Sequence, residues 1–253
     1  MRLRSIVALA VVAYLIFAVA TLPARLVAHV ASVPGKIELD DARGTLWNGS
    51  AHARVFGVGG SLDLDSITWR FQPARLVAGR IAFAFETQGD AIEGRGRIER
   101  GLATWEARDL HAKARAEALT PLAPLAASWR PVGLLDLDVP AFTWDGSEGR
   151  GSAEARWREA ALAISDVRPL GSYRAQASAE GGPARIVLST LDGPLRVSGS
   201  GTLDARGALT FTGEARSDPA SAAALKPLLD LMGPVRADGA RSFEWRSAAP
   251  PAR

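Results

Sequence analysis

Three histidines, His29, His52 and His111, are the first residues to weigh for metal or acid–base chemistry. None belongs to an HExxH pair, in which two imidazoles on one helix face hold zinc, and each sits in a separate segment, so no metal site is expected. A Ser-His-Asp arrangement stays open on composition alone. No GxSxG elbow occurs, however, and Gly199-Ser200-Gly201 lies within strand-like alternation instead of at a strand-to-helix turn. Gly94-Arg95-Gly96 and Gly149-Arg150-Gly151 open no helix, so neither is a phosphate cradle. The carboxylate pairs Asp40-Asp41 and Asp63, Asp65 read as strand-end and solvent-face charges. With no cysteine in the chain, thiol catalysis, Cys-ligated zinc and disulfide scaffolding are excluded. No catalytic, cofactor-binding or metal-binding residue is expected, and the protein reads as a non-enzyme.

Charge excludes a further class. The chain has 30 basic and 27 acidic residues, and its lysines are only Lys36, Lys113 and Lys226. The arginines are scattered among acids, whereas a nucleic-acid footprint needs a stripe or patch, so no nucleic-acid partner is expected. Arg95 with Arg97, and Arg156 with Arg158, would lie along single strand faces, which fits a solvated surface.

The elements that must carry these residues begin with an apolar leader. Residues 5–22 contain no charge and, as a helix, would rise about 27 Å, close to the thickness of a bilayer's hydrocarbon core. Arg2 and Arg4 precede the run, so residues 1–4 are expected in the cytoplasm and the rest across the membrane. Ala18-Val19-Ala20 resembles a signal-peptidase box, but the run exceeds a usual signal-peptide core, and an uncleaved anchor is the preferred reading. Either outcome exports the chain.

Beyond the anchor, apolar and polar residues alternate with period two. Residues 62–65, 67–71, 81–86, 92–98, 104–114, 134–144, 152–158, 173–179, 185–190, 195–203, 209–215 and 242–246 read as strands, punctuated by GG, DG and GP turns. Antiparallel hairpins follow, since no βαβ spacing is present. Only residues 118–129 and 219–232 read as helix. The second has Asp218 as N-cap, Pro219 at the first helical position, a stripe of Leu225, Leu228, Leu229 and Met232, and Pro227 as an internal break.

Two stretches repeat one chemistry: GTLWNG at residues 44–49 and TWDGSEGRG at residues 143–151. Gly44 and Gly49 are expected to bound a short strand, with Asn48-Gly49 in a tight turn and Trp47 packed into a curved sheet beside Trp69. Trp144 and Gly146 would repeat the arrangement. Gly94, Gly96, Gly199 and Gly201, spaced two apart on matching strands, leave backbone bare for a bulky ring. RIAFAFETQGDAIEGRGRIERG from Arg80 also aligns with RIVLSTLDGPLRVSGSGTLDARG from Arg185. The chain therefore reads as two similar β-rich halves, residues 23–130 and 131–246, each closed by a short helix, with a disordered tail at 247–253.

These features together resemble the type II secretion system protein N family. GTLWNGSA at residues 44–51, TWRFQP at 68–73, then LVAGR, LSTLDGPLRVSGSG at 188–201, LTFTGEA at 209–215, the helix ending in LLDLMG and the juxtamembrane LPARLVAHV at 22–30 carry the resemblance. It implies a mainly β protein, a curved and partly open antiparallel groove behind an N-terminal transmembrane helix, held in the inner membrane with its bulk in the periplasm. It further implies a non-enzymatic accessory of the machine that moves folded proteins across the outer membrane, with the inner-membrane platform or the secretin as partners. Two functions follow. A scaffold would pair exposed sheet edges with partner domains. A lipid-handling groove would line an apolar trough with Leu46, Trp47, Ile81, Phe83, Phe85, Ile186 and Leu188.

Overall fold

The computed structural model describes residues 14, 17, 18 and 20–247, apart from 58, 123–127, 206 and 238. Most of the expected anchor lies outside the described residues. Of its residues Tyr14, Phe17, Ala18 and Ala20 are helical, and among the described residues no helix is long and apolar enough to cross a membrane. The tail beyond Ser247 also lies outside them.

Period-two alternation produces one large antiparallel sheet of fourteen strands. They are β1 (Ile37–Gly44), β2 (Asn48–Gly57), β3 (Gly60–Asp63), β4 (Ser66–Phe71), β5 (Ile81–Gln88), β6 (Ile92–Arg100) and β7 (Trp105–Arg115), then β8 (Pro131–Trp144), β9 (Gly149–Leu162), β10 (Gly171–Glu180), β11 (Ala184–Asp192), β12 (Leu195–Leu203), β13 (Leu209–Ser217) and β14 (Arg241–Ser247). Strands pair in sequence order except that β3 and β4 do not pair with each other: both lie end to end along β2. The sheet is open, with β1 and β14 at its ends. It is also continuous across residue 130, because β7 and β8 pair from Trp105 opposite Trp144 to Arg115 opposite Leu134.

Register separates two faces. Glu86, Arg95, His111, Asp138, Glu154 and Gln176 stand side by side across β5 to β10. One residue along, Leu137, Ala155, Ala175, Leu188, Gly199, Gly213 and Phe243 form an apolar row on the opposite side. Bulges at Asp41, Asp109 and Glu159, each with positive φ, interrupt the ladders and bend the strands.

Two helices cover parts of the apolar face. Helix α1 (Arg25–Ala31) lies against β1, and its neighbour Ala24 is buried with Ala51 and Trp69. Helix α2 (Ala222–Met232) lays Leu225, Leu228 and Leu229 onto Tyr173, Leu195, Val197 and Ala215. Between them the 3₁₀ turn Ala116–Leu122 packs against β2, β3, β7 and β8, while Leu137 of β8 is 39 % exposed.

Several elements differ from the sequence reading. Residues 45–47 are the connection of a hairpin, with Gly44 ending β1 and Asn48-Gly49 opening β2 instead of forming its turn, and neither β1 nor β2 is among the strands read from the sequence. The helix expected at 118–129 is a 3₁₀ turn over Ala116–Leu122, with Ser128 and Trp129 helical and 123–127 outside the described residues. Helix α2 follows a 3₁₀ turn at Pro219–Ser221 and continues through Pro227. Asp218 makes no side-chain cap; its carboxylate accepts from Arg196 Nε at 3.0 Å.

Candidate functional site

The polar face forms a trough of about 980 Å³ lined by His111, Asp136, Asp138, Glu154, Arg156 and Arg158. Antiparallel pairing sets opposite charges beside one another there. His111 Nδ1 meets Asp138 at 2.6 Å, Arg158 donates to Asp136 at 2.8 Å, and Arg156 pairs with Glu154. The sequence left a Ser-His-Asp site open, and the structure joins a His to an Asp on a broad surface where neighbouring charges already neutralise each other. Such a face presents no field of one sign to a polyanion.

At one end of this face two carboxylates are buried. Glu99 is 1 % exposed and lies 3.5 Å from Arg75 and 3.3 Å from Arg80, while Arg80 and Arg108 both pair with Glu106. The Arg80 guanidinium is held above its ordinary range by its hydrogen bonds to Glu106 and Glu99. These pairs clamp the 3₁₀ turn Pro73–Ala78 onto the strands.

On the apolar face, the residues singled out in the sequence fall in three places. Gly44, Trp47, Gly49, Trp69, Phe83 and Phe85 gather around the β1–β2 connection. A Cβ at Gly49 would lie 2.6 Å from Trp69 Cζ2, so it is Trp69 that lies over this glycine. Its indole N–H donates to Leu46 O at 3.1 Å. Trp47 instead packs on Phe71 with ring centroids 4.8 Å apart, and Phe71 packs on Phe83 at 5.4 Å. Phe85 lies opposite Trp69 and over Gly96.

Trp144 ends β8, and Gly146 lies in the turn from β8 to β9. There Asp145 Oδ1 accepts from the backbone N–H of Ser147 at 2.9 Å and of Glu148 at 2.8 Å, and Gly146 has φ +101°. Those two N–H groups and the Ser147 hydroxyl lower the Asp145 carboxyl below its usual range. Gly199 and Gly201 lie far along the sheet on β12, under the ring of Phe211, which stacks near Phe243. The side chains nearest Gly94 are those of Thr87 and Ala112, not a ring. The covering ring comes from the preceding strand at Gly96 and from the following strand at Gly199, so the two glycine pairs are packed differently.

An apolar cavity of about 430 Å³ was not foreseen. It lies between α2 and the sheet, with Trp129, Trp157, Tyr173, Leu188, Leu228 and Met232 in its walls. The stripe of Leu228 and Met232 signalled the roof. The floor depended on register, because Trp157 and Tyr173 come from strands whose alignment sets them opposite each other. Tyr173 donates to Leu195 O at 3.0 Å, and burial, followed by Asp192, pushes its hydroxyl above the usual range, keeping it protonated. Phe243 and Trp245 of the end strand β14 close one side.

The model of the family described as type II secretion system (T2SS), protein N, matches residues 35–244. The type II secretion system protein N of Pectobacterium carotovorum subsp. carotovorum is 27 % identical over 253 residues, covering 93 % of this chain and 93 % of that protein. No solved structure matches the chain. The matched span runs from just before β1 into β14 and so takes in both faces, the clamp and the cavity, and on this ground the chain belongs to the type II secretion system protein N family.

Proposed function

We propose that the protein is a non-enzymatic scaffold of the type II secretion system, anchored in the inner membrane through residues 5–22 with its sheet in the periplasm, and that it receives another subunit of the system along β14. The observation that carries this reading is the difference between the two sheet edges. Along β1, Pro23 bridges Thr45, Ala24 donates to Gly44, Val33 bridges Ile37, and the backbone N–H of Leu39 donates to Ser32 Oγ. That edge is blunted by its own chain. Beside β14, among the described residues, the outer ladder is a single bridge from Val235 to Arg241. Phe243 and Trp245 of this strand border the apolar cavity, and Trp245 is 42 % exposed. A partner strand adding to β14 would gain backbone hydrogen bonds and an apolar socket for one side chain.

The repeated element order supports one β unit used twice. The aligned glycine segments fall on β6 and β12, and a 3₁₀ turn follows the next strand in each half, after β7 and after β13. A photo-crosslinking residue at Trp245 in cells tests the scaffold. Adducts to a platform or secretin subunit, with none from Glu38 on β1, support it; adducts to no protein at Trp245 overturn it. The cavity favours a second reading, in which a hydrocarbon chain lies beneath α2. Stoichiometric phospholipid in an organic extract of the purified protein, lost on filling the space with Leu188→Trp, would favour that reading.

A further inference from the structure

We propose that the end of the sheet carrying the β1–β2 connection rests on a phospholipid surface, with Leu76, Val77 and Leu102 immersed in its headgroup and upper acyl layer. This rests on the reading of residues 5–22 as a membrane anchor and adds to it the orientation of the sheet.

Antiparallel order places three connections at one end of successive strands: residues 45–47 between β1 and β2, 72–80 between β4 and β5, and 101–104 between β6 and β7. Four strand spacings separate the first from the third, about 20 Å. The apolar leader reaches the sheet at this same end. Leu22 O accepts from the Leu46 N–H at 2.7 Å, and the Ala24 N–H donates to Gly44 O at 3.1 Å. Residue 22, where the expected anchor ends, is therefore tied directly to the first connection, leaving no linker through which the sheet could swing away from a bilayer.

The next two connections carry apolar side chains that no core explains. Val77 is 94 % exposed and Leu102 100 %, and Leu76, Ile81 and Trp105 are half-exposed around them. Single exposed apolar residues are ordinary, but adjacent loop tips bearing them beside a membrane-directed segment form an insertion surface. Trp105, with the Arg100 guanidinium 4.6 Å above its ring, has the amphipathic character of residues found at headgroup level. Trp47 and Trp144 lie at the same end.

The lip is held in place by its own chemistry. The Pro73–Ala78 turn ends at Gly79 with φ +68°, and Glu99 with Glu106 binds Arg75 and Arg80 on either side of Leu76 and Val77. Burying two carboxylates to fix an exposed apolar tip makes sense where that tip must face a surface. At the opposite end of the same strands, the β5–β6 turn is polar, with Gln88, Gly89 and Asp90.

The chain has no cysteine, so Val77→Cys, Leu102→Cys and Asp90→Cys each accept one environment-sensitive fluorophore. The full-length protein is placed in nanodiscs of phosphatidylethanolamine and phosphatidylglycerol containing nitroxide-labelled lipid. Blue-shifted emission with at least about twofold quenching at 77 and 102, and neither at 90, is the expected result. Probes at 77 and 102 as unquenched as at 90 overturn the proposal, as does equal quenching at all three. Alkaline washing of membranes from the same cells separates the two readings: a retained protein with unquenched tips loses only the lip, and a released protein loses the anchor and the lip together.

Discussion

Gly49→Ala tests whether the glycine-flanked tryptophan motif is a packing device. A Cβ there would lie 2.6 Å from Trp69 Cζ2, 2.7 Å from Arg43 O and 2.9 Å from Thr45 O. Comfortable contacts are about 3.5 Å, so the ring must move by nearly 1 Å, and the two oxygens belong to backbone that cannot rotate away. Overpacking of this kind costs about 1–3 kcal/mol, and displacing the indole from Leu46 O adds about 1 kcal/mol. The expected loss is about 2–4 kcal/mol. Gly146, in the other copy of the motif, has nothing within 4 Å of its would-be Cβ and is constrained only by φ +101°, so Gly146→Ala should cost about 1 kcal/mol. Urea unfolding of the detergent-purified chain, followed by circular dichroism, measures both. Trp69→Phe removes the crowding ring atom, and the double variant should show a coupling above about 0.5 kcal/mol. A Gly49→Ala variant within about 0.5 kcal/mol of the parent, or strict additivity with Trp69→Phe, would refute the packing argument.

Glu99→Ala should release the Pro73–Ala78 turn, because the buried carboxylate holds Arg75 and Arg80 together; trypsin cleavage after these arginines should rise about tenfold for each ~1.4 kcal/mol of easier local opening. Unchanged cleavage would mean that Glu106 alone suffices. For Asp145 the folded carboxyl titrates below its unfolded value, so its stabilising contribution is complete above about pH 4 and is lost as pH falls through the depressed folded value. Asp145→Asn should therefore flatten the acid side of the unfolding-temperature profile while leaving its slope near neutrality unchanged, and an identical acid limb in both proteins would count against the turn geometry.

Strands β3 to β14 were legible because each keeps strict alternation over several residues, as in Ile81, Phe83 and Phe85 against Ala82, Ala84 and Glu86. Strand β1, IELDDARG, hid its pattern behind two adjacent acids and a bulge at Asp41. In β2 the buried positions are Ala51 and Ala53, whose small side chains give a weak apolar signal. The glycines of interest are visible by spacing, but the rings that cover them are not: Trp69 lies over Gly49 and Phe211 over Gly199, and each ring comes from a neighbouring strand that only register brings there. The Glu99 and Glu106 clamp was invisible for a related reason, since its arginines approach from a loop about twenty residues away.

By itself the sequence determined the apolar leader, the antiparallel alternation, the stripe of α2 and the family, all of which depend on residue type at short spacing. Only the tertiary structure decided which side chains meet: the self-neutralising polar trough, the rings laid over glycines, the cavity beneath α2, the contrast between a blunted β1 and a β14 that carries, among the described residues, a single outer bridge, and the gathering of Val77 and Leu102 at the end where Leu22 joins the sheet. Alternation determines the face on which a residue stands. Register, bulges and the path of the connections determine its neighbours, and these depend on pairing energies summed over strands distant in sequence.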